Sequence, residues 1–125
     1  MEGCRMNIPE LQKTLRKFRN ERNWEKFHTP QNLAQALVVE AGELSACFLW
    51  GAEWRPADRA AVAEECADVL IYLVQLADQF DVDLEKAVRA KIAWNERRFP
   101  VQRELEVTDQ TSRPSSASRS PDAPR

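Results

Sequence analysis

The chain has 125 residues, 43% hydrophobic and 30% charged, with 18 basic and 20 acidic side chains and a formal charge of −2. These totals fit one globular domain with one core, and they give none of the basic footprint expected of a nucleic-acid binder. No apolar run approaches the ~20 residues needed to span a bilayer, and the N-terminus lacks the apolar core of a signal peptide. Only three glycines are present, which favours helices over a turn-rich β fold. Cys4, Cys47 and Cys66 are odd in number and form no CxxC. That argues against a disulfide framework or a structural zinc site and makes a reducing cytoplasm the expected location.

After a short leader, Asn7 can cap a first helix with Pro9 in its first turn, running to about Trp24. Leu11, Leu15, Phe18 and Arg22 fall at helical spacing, and Lys13, Arg16, Lys17 and Arg19 read as a solvated basic face. Residues 23–29 bring two aromatics, Trp24 and Phe27, and the single histidine, His28. Thr29-Pro30 is a helix start, and the second helix is expected from Pro30 to about Trp50, ended by Gly51. On this helix Leu33, Leu37, Glu43, Leu44 and Cys47 lie within about 60° of Glu40. A short connector, Gly51–Pro56, leads to a third helix from near Pro56 to about Phe80. There Ala61, Val62, Asp68, Val69, Tyr72 and Leu76 lie within about 60° of Glu65. Asp83 can cap a fourth helix, Leu84 to about Arg98, stopped by Pro100. Its Lys91, Asn95 and Arg98 share an arc with Leu84, Val88 and Trp94, so this strip is expected on a core-facing surface. The 23 residues 103–125 hold three prolines, five serines and no aromatics. They are expected to form a disordered tail, leaving 1–102 as an all-α domain.

Two pairs of acids therefore stand at i,i+3 spacing on apolar faces: Glu40 with Glu43, and Glu65 with Asp68. Buried charges are costly unless partnered. The short connector makes the second and third helices antiparallel neighbours, which brings the pairs face to face. Four carboxylates would raise one another's pKa, and a divalent cation removes the conflict. All-oxygen ligands favour Mg²⁺, with Mn²⁺ possible, over zinc or copper. A di-iron bundle would need Glu-x-x-His pairs, and His28 lies outside both motifs. Lys91, Asn95 and Arg98 supply the groups that hold phosphate oxygens. Carboxylates, cation and basic strip together read as phosphoanhydride hydrolysis, with one carboxylate taking a proton from the attacking water. Trp24, Phe27, Trp50, Tyr72 and Trp94 are most simply core residues, although a base can stack on such rings. Cys47 and Cys66 read as small core residues.

Glu40-Ala-Gly-Glu43-Leu, followed by Glu64-Glu65-Cys-Ala-Asp68-Val-Leu-Ile-Tyr72-Leu, resembles the ExxE…ExxD signature of MazG-like nucleoside triphosphate pyrophosphohydrolases. The likeness is closest to the dCTP pyrophosphatase branch. It extends to Arg22-Asn-Trp24-Glu-Lys-Phe-His28-Thr-Pro-Gln-Asn32-Leu, to Phe48-Leu-Trp50 and to Lys91-Ile-Ala-Trp-Asn95-Glu-Arg-Arg98-Phe-Pro100. The resemblance implies an all-α four-helix bundle that assembles as a homodimer or homotetramer. It implies Mg²⁺ held by Glu40, Glu43, Glu65 and Asp68, the same acids carrying the catalysis. It implies hydrolysis of a deoxynucleoside triphosphate, dCTP or a modified dCTP, to the monophosphate and pyrophosphate as nucleotide-pool housekeeping. Lys91, Asn95 and Arg98 would hold phosphates, Trp24, His28 and Trp50 would line the nucleoside side with Tyr72 nearby, and a neighbouring subunit can complete the site. Two alternatives stay open: the same reaction on another nucleotide such as dUTP, or a non-catalytic helical interaction module whose acids form buried ion pairs with Lys91 and Arg98.

Overall fold

A computed structural model describes residues 5–51 and 58–102. The expected tail 103–125, most of the connector and the start of the third helix near Pro56 lie outside the described residues. Four helices follow in order: α1 (Ile8–Glu21), α2 (Pro30–Ala46), α3 (Arg59–Gln79) and α4 (Leu84–Arg98). No strand occurs among the described residues.

The helix starts follow local chemistry. Asn7 accepts from the Glu10 N–H at 2.9 Å, Thr29 from Asn32 at 3.2 Å and Asp83 from Lys86 at 3.0 Å, each satisfying a donor that the first turn leaves open. The ends are less regular. α1 stops three residues before the expected Trp24, because Asn23 turns left-handed (φ 54°) and the Trp24 N–H reaches back to the Arg19 carbonyl at 3.1 Å. The same closure ends α3, with Asp81 at φ 51° and Val82 bonded to Ala77 at 3.0 Å. In both, an Asn or Asp stands where glycine is commonest. α2 also ends early, at Ala46, and Cys47, Phe48 and Leu49 continue in tight turns bonded three residues back. The residue with positive φ there is Trp50 (64°), not the expected Gly51.

α3 is the central element. One face packs along α2 and another receives α1. Gln79, at the end of α3, bonds the carbonyl of His28 just before α2, while Glu65 and Asp68 meet Glu40 near the middle of α2. The two helices therefore run antiparallel, as their short connection requires. Leu33 of α2 and Val74 of α3 are fully enclosed, and Ala77 is buried beside them. Arg16 of α1 forms a two-pronged ion pair with Asp78 of α3 and closes the second interface.

α4 departs from expectation. Leu84 is half-buried, and every residue from Glu85 to Arg98 is exposed. The strip Lys91, Asn95 and Arg98 is thus not core-facing in the single chain. Between the start of α1, α3 and α4 lies an open apolar groove of about 710 Å³, lined by Ile8, Leu11, Leu70, Leu73, Val88 and Ile92 among others. The apolar arc of α4 was legible, but the described residues supply too little surface to cover it. No helix among the described residues is long and apolar enough to cross a membrane.

Candidate active site

The same spacing that puts Leu33, Leu37 and Leu44 of α2 toward α3 puts Glu40 there too. Leu33 is buried, and Leu37, Glu40 and Leu44 are half-buried. On α3, Val62, Glu65, Asp68, Val69, Tyr72 and Leu76 are all half-buried as the sequence pattern requires, whereas Ala61 of the same arc and Cys66, expected in the core, are exposed. Glu40, Glu65 and Asp68 each offer one carboxylate oxygen to a cluster in which all three atoms lie within 4.8 Å of one another. Glu43 is exposed and stands outside that trio, but its charge still bears on Glu65. Glu64 is exposed.

Glu65 is the centre of the cluster. Its carboxyl pKa is raised, first by burial, then by the negative charges of Glu40, Asp68 and Glu43, with a hydrogen bond to Glu40 adding to the effect. Its Oε2 is enclosed by protein and has no hydrogen-bond partner. The ion pairs of the described residues are Arg16–Asp78, Lys17–Glu21, Arg22–Glu21 and Arg89–Glu85, so none of them neutralises the four acids. An orphaned carboxylate oxygen among two further carboxylates, with no basic side chain paired to any of them, fits a hard divalent cation with oxygen ligands.

The other expected residues fall in three places. Trp24 and His28 occupy the turn between α1 and α2, their rings 6.1 Å apart, and Phe18 meets Trp24 edge-on at 5.7 Å. His28 is half-buried, its Nδ1 is enclosed without a partner, and burial followed by the charge of Arg19 lowers its pKa. The ring is therefore neutral near pH 7. Trp50 is 96% exposed beyond the end of α2, and Tyr72 is half-buried on α3. Lys91, Asn95 and Arg98 are on exposed α4, where Lys91 Nζ lies 4.0 Å over the Trp94 ring and the Arg98 guanidinium 5.1 Å from it. The single chain thus brings Glu40, Glu65 and Asp68 together, pairs Trp24 with His28, and leaves Trp50 and the basic strip exposed.

Two polar contacts escaped the sequence reading. Arg16 belongs to the face read as solvated, and its Asp78 partner sits one turn past Val74. Gln79 donates its side-chain amide to the His28 carbonyl. The cue for both was a polar pair closing the apolar stripe of α3.

The profile of the MazG-like family matches residues 36–112, more than half of the chain. The chain belongs to the MazG-like family. Its matched span holds all four acids and the α4 strip. The chain is 45% identical over 101 residues to dCTP pyrophosphatase 1 of Rattus norvegicus, which covers 75% of this chain and 59% of the rat protein. It is 45% identical over 100 residues to the Homo sapiens dCTP pyrophosphatase 1, covering 74% and 59%. This MazG-like chain therefore spans about 59% of the length of those curated relatives. A crystal structure of a pyrophosphatase from Archaeoglobus fulgidus DSM 4304 superposes with a TM-score of 0.68 at 36% identity, covering 81% of this chain and 99% of that one.

Proposed function

We propose that this chain is a Mg²⁺-dependent pyrophosphohydrolase that converts a deoxynucleoside triphosphate, dCTP or a modified dCTP, to the monophosphate and pyrophosphate. The observation that carries the reading is the convergence of carboxylate oxygens of Glu40, Glu65 and Asp68, with Glu65 Oε2 enclosed and unpartnered, in a chain of the MazG-like family. The base preference rests on the likeness to the rat and human dCTP pyrophosphatases 1.

Glu40, Glu65 and Asp68 would hold the cation, with the exposed Glu43 on the same helix as Glu40 adding to the charge around it. Bound there, Mg²⁺ supplies charge neutralisation for the triphosphate and its leaving group. Glu43, exposed and least constrained, can accept the proton of the attacking water. The Trp24–His28 pair faces the nucleoside, and neutral His28 offers a ring nitrogen to hydrogen-bond a base edge. Lys91, Asn95 and Arg98 hold phosphate oxygens. Because α4 stands exposed and its strip makes no ion pair to the acids among the described residues, a neighbouring copy would complete the site. The apolar groove beside α4 supports that self-association, as a homodimer or a homotetramer of paired dimers. The rival helical module is disfavoured by the same absence of ion pairs between the acids and Lys91 or Arg98.

The test is pyrophosphate release from a panel of deoxynucleoside triphosphates, dUTP included, with and without Mg²⁺. Mg²⁺-dependent release with dCTP or a modified dCTP preferred is expected. No release from any nucleotide sinks the reading, and a preference for dUTP replaces the substrate.

A further inference from the structure

The turn between α1 and α2 carries Trp24 and His28, yet burial alone does not fix where it stands. Trp24 is 41% exposed and Phe27 58%. The Trp24 N–H joins it to the Arg19 carbonyl of α1 at 3.1 Å, and its other backbone bonds are local: Phe27 N–H to the Trp24 carbonyl at 2.9 Å, His28 N–H to the Trp24 and Glu25 carbonyls at 3.2 Å, and the Asn32 side chain to the Phe27 carbonyl at 2.9 Å. Such bonds set the shape of the turn and join it to α1 without tying it to α3. The Gln79 amide supplies that tie. It donates to the His28 carbonyl across 51 positions of sequence. Gln79 lies on α3, the helix that carries Glu65 and Asp68, about 16 Å along the axis from Asp68 at 1.5 Å per residue. That is the length scale of an extended nucleoside triphosphate. The preceding residue, Asp78, binds Arg16, so consecutive residues of α3 fix α1 and the turn that follows it.

We propose that Gln79 is a positioning residue that sets the distance and orientation of the Trp24–His28 pair relative to the carboxylate cluster, and through it the recognition of the nucleoside end of the substrate. The inference rests on the proposed pyrophosphohydrolase reading. Gln79 touches neither the reacting phosphates nor the base. It acts through the His28 backbone, so loosening it weakens ground-state binding of the nucleoside and leaves the chemical step intact.

The test compares the full chain with Gln79→Glu, which keeps length but removes the N–H donor, and Gln79→Met, which removes polarity. Gln79 is exposed, and circular dichroism checks that both variants stay helical. For the preferred nucleotide, loss of one tethering bond is expected to raise KM roughly five- to tenfold with kcat changed by less than about twofold. Discrimination among bases should narrow in both variants, and amide exchange over residues 24–29 should quicken while α3 keeps its protection. An active wild type whose KM and base selectivity are unchanged by both substitutions overturns the proposal and leaves the proposed function standing. A fall in kcat at constant KM also overturns it. A wild type inactive on the whole nucleotide panel removes the functional reading itself.

Discussion

Self-association at the groove beside α4 is expected to depend on single residues, and Ile92→Asp is the sharpest perturbation. Leu70, Leu73, Val88 and Ile92 retain 43%, 38%, 53% and 52% of their accessible surface in the single chain. Full burial of such a side chain contributes about 1.5–3 kcal/mol, so covering these remnants would contribute about 3–6 kcal/mol per protomer. A symmetric pair gains about twice that, comparable with the roughly 4–15 kcal/mol lost in translational and rotational freedom. The balance is close, so one residue decides it. Ile92→Asp removes about 0.8–1.6 kcal/mol of burial per copy. Both copies carry the change, which raises the dissociation constant of the pair by about 15- to 200-fold before the cost of a buried unpaired carboxylate is added. Sedimentation velocity over a nanomolar to high-micromolar series measures the shift, with circular dichroism confirming that α4 remains helical. On the proposed reading, in which a neighbouring copy completes the site, turnover should fall in step with dissociation. A wild type that is monomeric throughout the series refutes the reasoning, as does an Ile92→Asp protein with the wild-type dissociation constant.

Three further outcomes follow from the geometry. Glu65→Gln removes a carboxyl whose pKa is raised in the folded chain, and a raised carboxyl destabilises the fold once pH exceeds the ordinary glutamate range. The metal-free variant should therefore melt higher than wild type at neutral pH, with the difference fading as pH falls into that range, and Mg²⁺ should no longer raise its melting temperature. Asp78 has a lowered pKa, because Arg16 hydrogen-bonds it and, with Arg19, surrounds it with positive charge against the opposing effect of burial. Its stabilisation is present above the ordinary aspartate range and lost as pH falls through the lower folded value, so Asp78→Asn should lower the melting temperature at pH 7 and match wild type in strong acid. Leu33→Ala opens a cavity at a side chain only 1% exposed. It should cost about 2–5 kcal/mol, read by urea unfolding, and a loss below about 1 kcal/mol would contradict the core described here.

The parts legible in the sequence were those set by period and capping. Asn7, Thr29 and Asp83 could be named as caps because each precedes an apolar helical pattern, and α4 ends at Arg98 just before Pro100 as expected. Glu40, Glu65 and Asp68 were legible because helical spacing ties them to Leu33, Leu37 and Val69. Helix ends were less so, since Asn23, Trp50 and Asp81 adopt a left-handed conformation that their side chains do not announce. Val74 lies outside the arc that holds Glu65, on a second buried face of α3 toward Leu15 and Arg16 of α1. The placement of α4 was not legible for a different reason. An apolar arc states that a face must be covered, and says nothing about whether the cover comes from the same chain.

Trp50 adds a consequence for anyone engineering this protein. A non-glycine residue at φ 64° costs roughly 1–2 kcal/mol relative to glycine in that conformation, and this indole contributes almost no burial in return. Selection for heat resistance in the isolated chain would thus favour Trp50→Gly. Such a campaign would discard a side chain whose use, on the proposed reading, appears only when nucleotide is present, so thermal screens of this scaffold should be run with ligand.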